Sequence, residues 1–157
     1  MLFRSVNRYD GTTGIFTDVY TSGIVDEAAG LTFGADGKLY ISSSFTAKVV
    51  RVSGPTGAVF DDFVPFGSGG LSGPGALLFG PDGNLYVSNT STDQVKRYDG
   101  TTGAFIDNFA SGGGLDGISG LVFTPATVPE PGSVLLLITG LAGLIVGRRV
   151  RRRDPPT

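Results

Sequence analysis

The sequence has no cysteine, no histidine and no tryptophan, and only one methionine in 157 residues. Without cysteine there is no disulfide framework, no thiolate metal site and no thiol nucleophile. Without histidine the commonest general base is missing. Basic residues are scarce until the far end: residues 1–131 carry seven Lys/Arg against thirteen Asp/Glu, a net −6, whereas 132–157 carry five Arg and one Asp, a net +4. An acidic body lacks the clustered cations that the phosphate backbone requires, so nucleic acid is excluded as a partner. Long apolar stretches are equally rare. The one that stands out, 133–147 (SVLLLITGLAGLIVG), lies directly before the Arg cluster.

Glycine and proline are abundant, at 26 and 9 residues, and punctuate short runs rich in Val, Ile, Phe, Tyr and Thr. That is the composition of strands joined by tight turns. A shift of 46 residues lays 31–63 over 77–109 without a gap, with 17 of 33 positions identical. LTFGADGKLYISS becomes LLFGPDGNLYVSN, and KVVRVSGPTGAVFDDF becomes QVKRYDGTTGAFIDNF. RYDGTTG at 8–14 recurs letter for letter at 97–103, and GLVF at 120–123 restarts the strand that opens the other copies.

Each copy divides into four short strands. In the second, these are 75–79, 85–88, 94–98 and 104–109, with turns at 81–84 and 99–103. Asp-Gly in the first turn supplies the positive φ of a tight hairpin. Four antiparallel strands in about 45 residues is the size of one propeller blade. A β-sandwich has no reason to repeat at this period, and a β-solenoid repeats at a shorter one.

The phrase PDGNLYVSNTSTDQVKRYDGTTGAFIDNF resembles the NHL-type repeat, with its Asp-Gly turn, a strand of the NLYVSD kind, a polar loop and a strand of the RVLRYD kind. Where many such repeats have Asp after the second strand, Ser43 and Asn89 stand here. The repeat and the resemblance together imply an all-β fold, a partial β-propeller of two to three four-stranded antiparallel blades over 1–126; the apolar run beyond it reads as a short C-terminal transmembrane helix. The blades divide as a partial one at 3–22, complete ones at 28–66 and 74–110, and the opening strand of a further one at 117–125. Two complete copies are fewer than a closed ring needs, and 1–10 shows no apolar leader. The expectation is therefore the C-terminal part of a longer exported protein.

A Pro-rich linker at 127–132 ends the strand pattern, since prolines cannot continue a ladder. As a helix, 133–147 reaches about 22 Å at 1.5 Å per residue. That is short of the roughly 30 Å hydrocarbon core, but flanking Arg can snorkel to make up the span. The basic tail at 148–157 stays cytoplasmic by the positive-inside rule, placing the repeats outside the inner membrane. Pro129-Glu130-Pro131, the apolar segment and the cluster Arg148, Arg149, Arg151, Arg152 and Arg153 together resemble the PEP-CTERM sorting signal of bacterial exported proteins. That resemblance implies an exosortase-type processing enzyme as partner, and a product at the cell surface or secreted.

The sequence shows no convergent acid, base or nucleophile set, so the expected function is noncatalytic binding of an extracellular protein or polysaccharide, without metal or cofactor. Ser42, Ser43, Ser88 and Asn89 end the second strand of each copy, where strand ends and loops carry function, and form the candidate ligand face. The alternative is a fragment of a lactonase- or lyase-like propeller enzyme whose catalytic residues lie on upstream blades.

Overall fold

The computed structural model describes residues 4–124 and the strand at 135–139. Residues 129–131 and 148–153, which carry the sorting motif and the Arg cluster, lie outside the described residues. Strands β1 (Ser5–Tyr9) and β2 (Phe16–Ser22) form a two-stranded sheet. Strands β3 (Ala28–Phe33), β4 (Leu39–Ser43), β5 (Lys48–Val52) and β6 (Val59–Val64) form a four-stranded one in that order. The sequence β7 (Pro74–Phe79), β8 (Leu85–Asn89), β9 (Gln94–Tyr98) and β10 (Phe105–Ser111) repeats it. Finally β11 (Ile118–Phe123) pairs with β12 (Leu135–Thr139). Every pairing is antiparallel.

Local chemistry explains the turns. Gly37 and Gly83 take φ of 72° and 78°, which an L side chain resists. Beside them, the Oδ1 atoms of Asp36 and Asp82 accept the amides of Lys38 and Asn84, each at 3.1 Å. The turn that closes a blade packs on this one. A Cβ on Gly100 would stand 1.8 Å from the Gly83 carbonyl oxygen, so the contact requires glycine.

The strands differ by position in the sheet. Every residue of β4 and β8 is buried, their serines included, because a neighbouring sheet covers each face. The outer strand β10 is largely exposed, and β6 is exposed over its first half but ends in the buried Phe63 and Val64. The core therefore lies between sheets. Tyr40, Val49, Phe63, Leu77, Leu85 and Tyr98 fill the layer between the two four-stranded sheets, with Phe79 packed against them. Tyr40 is the hinge of this layer: its ring meets Phe63 and Phe79 edge-on at 4.9 Å each. Tyr86 repeats the motif with Phe109 and Phe123. Strand β3 packs along β7 of the next sheet, whereas Leu31 lies on the side of the two-stranded sheet, beside a cleft lined also by Val6 and Tyr20. Leu31 is 52% exposed where its repeat equivalent Leu77 is 6% exposed.

The helix expected over 133–147 is not what its described part shows. Leu135–Thr139 is extended and paired with β11. Beside β11 an unfilled sheet edge would leave backbone groups without partners, and a five-residue apolar run suits a strand as well as a helix. No helix among the described residues is long and apolar enough to cross a membrane.

Candidate functional site

The four polar residues at the ends of β4 and β8 are fully buried rather than presented to solvent. Each is placed by the strand it ends, but the loop that enters the blade folds over it. The Ser43 hydroxyl accepts the Asp26 amide at 2.9 Å and donates to the Asp26 carbonyl at 2.8 Å. Asn89 does the same work in the next blade. Its Oδ1 accepts the Ser72 amide at 2.7 Å, and its Nδ2 donates to the Gly70 carbonyl at 3.3 Å. An Asn reaches two backbone groups where Asp would offer only acceptors, which accounts for amide chemistry at this position. Ser42 stitches one sheet to the next, accepting from the Gly30 amide at 2.7 Å and donating to the Gly75 carbonyl at 2.7 Å. The Ser88 hydroxyl is buried and makes no hydrogen bond among the described residues. Ser43 and Asn89 hold the incoming loops, and those loops form the surface.

That surface carries two aromatic rings that the sequence pattern did not single out. Phe45 in the loop after β4 is 72% exposed, and Phe66 in the loop after β6 is 78% exposed. The loops are joined by a hydrogen bond from the Gly67 amide to the Ala47 carbonyl at 3.1 Å. The only hint in the sequence was that Ser91, at the repeat position of Phe45, is polar.

At the other end of the blades lies a cleft of about 390 Å³ between the four-stranded sheets, lined by Asp36, Tyr40, Arg51, Phe79 and Thr101. Its charges are matched. Asp36 accepts from Lys38 Nζ at 3.0 Å and from the Tyr40 hydroxyl at 3.2 Å. Burial works against its charge, but these hydrogen bonds outweigh it and hold the carboxyl below its usual value. Arg51 forks onto Asp61 at 2.9 and 2.5 Å and lies over the Phe63 ring at 4.8 Å. Arg97 with Asp107, and Arg8 with Asp18, repeat the pair in the neighbouring sheets. A set that recurs in every blade with its carboxylate already paired belongs to the framework of the repeat.

One ion breaks the repeat. Lys96 replaces Val50 of the preceding blade and is 3% exposed. Its ammonium donates to the Gly69 carbonyl at 2.7 Å, Asn108 Oδ1 at 3.0 Å and Gln94 Oε1 at 3.3 Å. All three partners are neutral, and burial lowers its pKa. No group of three His, Cys, Asp or Glu converges among the described residues.

Residues 127–153 match the PEP-CTERM protein-sorting motif, a span that contains Pro129, Glu130, Pro131 and all five tail arginines. No curated protein sequence matches the chain. Among solved structures the fold is shared with a chain of the nidogen/laminin complex, at TM-score 0.58 and 17% identity over 79% of this chain and 48% of that one. Hydrazine synthase of Kuenenia stuttgartiensis aligns at TM-score 0.53 and 24% identity, over 75% and 30%. A catalytically inactive virginiamycin B lyase from Staphylococcus aureus with quinupristin aligns at 0.53 and 16%, over 74% and 38%. The chain thus spans less than half the length of each of these structures. The fold is all-β and propeller-like, and the sorting motif implies an export-sorted protein subject to exosortase-type processing.

Proposed function

We propose that the chain is a noncatalytic binding module of the cell surface, sorted through its C-terminal segment and contacting an extracellular protein or polysaccharide through the blade end that carries Phe45 and Phe66. The observation that carries this reading is the coincidence, in one chain, of a sorting motif at 127–153 with a propeller-type body. In the membrane, 133–147 forms the helix that the apolar run and its flanking arginines favour, with the Arg cluster cytoplasmic and the blades outside. Two exposed rings on joined loops suit a flat partner, since aromatic faces supply contact area at small entropic cost.

The competing reading is a lyase- or lactonase-like enzyme. The compared lyase is catalytically inactive when one histidine is replaced by alanine, and these 157 residues contain no histidine. The paired state of Asp36, Asp61 and Asp107 supports the same side of the choice.

Fractionation of source cells into inner membrane, surface and medium tests both halves of the proposal. Replacing all five tail arginines by Ala is expected to abolish membrane-dependent processing and surface display. The double variant Phe45→Ser, Phe66→Ser is expected to be processed normally but to appear in the medium instead of remaining on the surface. Normal processing of the Arg-less chain overturns the sorting role, and undiminished surface retention of the Phe variant overturns the binding face.

A further inference from the structure

Leu135–Thr139, within the apolar segment of the sorting tail, pairs with β11 in the register of a second blade strand. In the first complete sheet Phe33 faces Leu39, Thr32 faces Tyr40, Leu31 faces Ile41 and Ala28 faces Ser43. In the next, Phe79 faces Leu85, Leu78 faces Tyr86, Leu77 faces Val87 and Pro74 faces Asn89. In the last, Phe123 faces Leu135, Val122 faces Leu136, Leu121 faces Leu137 and Ile118 faces Thr139. These four pairings fall at repeat-equivalent positions, and the irregularity lies in the same stretch near the start of the first strand, where the last sheet also pairs Gly120 with Ile138. The tail residues LLLIT occupy the place of LYISS and LYVSN.

A slip of one residue would turn every side chain to the opposite face of the sheet. A casual contact between an apolar tail and an open edge has no reason to find this register. The edge itself is prepared by the repeat: β11 carries the GLVF signature, and its Phe123 packs on Tyr86 at 4.9 Å, as Phe79 packs on Tyr40. Next to a first strand already seated on the preceding blade, the slot for a second strand is defined in both position and direction.

We propose that Leu135–Thr139 is a two-state element: docked on β11 as a blade strand before sorting, and released into the membrane helix when the tail is taken up. This rests on the sorting reading above. The backbone of these five residues cannot be strand and helix at once, so docking and membrane entry compete for them. A ligand or membrane shifts such an equilibrium only by its preference for one state. Docking therefore keeps the tail from the bilayer, and strengthening the pairing suppresses sorting.

The absence of cysteine makes the test clean. In the full chain, Leu121→Cys is combined with Leu137→Cys, and Val122→Cys with Leu136→Cys. Directly opposed pairs alternate between hydrogen-bonded and non-hydrogen-bonded, so one of the two has the closer spacing that a disulfide favours. Leu121→Cys with Leu136→Cys is the control, since residues one step off register point to opposite faces. Purified in buffer without membranes, one in-register pair is expected to oxidise about tenfold more completely than the control. The oxidised chain is then expected to float with phosphatidylethanolamine–phosphatidylglycerol vesicles about tenfold less than the same chain after reduction. Equal oxidation of the paired and control variants overturns the docked strand. Unchanged flotation of the locked chain overturns the competition. Neither result depends on a processing enzyme, so failure here is distinct from failure of the sorting role, which the Arg-less chain reports.

Discussion

Lys96 is the residue whose environment departs furthest from its type. A cation held by three neutral acceptors keeps its hydrogen bonds but has no counter-charge among the described residues. Burial lowers its pKa in the folded chain below the ordinary 10.5. In the interval between the folded and unfolded values, the unfolded chain binds more protons, so stability rises with pH there and is flat below it. Lys96→Met restores the apolar character of the Val50 position. It is expected to be neutral within about 1 kcal/mol at pH 7 and to lose the rise in stability toward pH 10.5. Urea unfolding at neutral and alkaline pH reads both effects, and an unchanged pH slope in the variant would assign the rise elsewhere. The turn carboxylates show the opposite sign. Hydrogen bonds from the amides and hydroxyl at Thr101 and Thr102 hold Asp99 below 3.8. Its support is thus present at neutral pH and is lost only as the pH falls through that lowered value. The Asp-Gly turns could be read from residue type alone, because positive φ and an Asx hydrogen bond are local properties. The burial of Lys96 could not, because it depends on the Ser68–Gly70 turn arriving from 27 residues away.

Among the strands, repeat-equivalent positions separate what the local pattern sets from what the neighbour supplies. Leu31 and Leu77 hold the same place in the first strand of their blades with the same side chain, yet one is half exposed and the other lies in the core between sheets. Leu77→Ala is expected to cost about 2–4 kcal/mol through lost burial and a residual cavity. Leu31→Ala is expected to cost less than about 1 kcal/mol. Denaturation midpoints of the two variants check the contrast, and equal losses would mean that a partner covers Leu31 in solution. A cleft of about 440 Å³ beside Leu31, lined by Tyr20, Phe33 and Leu39 among others, is consistent with the incomplete cover on that side. Strand positions were legible from alternation and turns. The expected 94–98 is observed as Gln94–Tyr98, and 85–88 extends by one residue to Leu85–Asn89. The role of β12 was not legible, since apolar periodicity over five residues does not distinguish a strand from a helix.

The molecule as a whole is a row of sheets whose stability resides in the layers between them. Amide exchange should therefore be slowest in β4, β5, β8 and β9, which are covered on both sides, and at least about a hundredfold faster in β1 and β2. Exchange measured by mass spectrometry on the intact chain checks this, and uniform protection would mean that β1 and β2 are covered as fully as the central blades. The blade unit, the strand order within it and the sorting segment could be read from the residues alone, because a 46-residue repeat, tight-turn chemistry and charge asymmetry are all local properties of the chain. Which residues lie exposed at the blade end was settled only by tertiary packing. Ser42, Ser43, Ser88 and Asn89 sit where strands end, but neighbouring sheets and incoming loops bury them and leave Phe45 and Phe66 outside. It also decided the state of Leu135–Thr139, because an open edge on β11 is created by the packing of separate sheets, and no stretch of neighbouring residues encodes it.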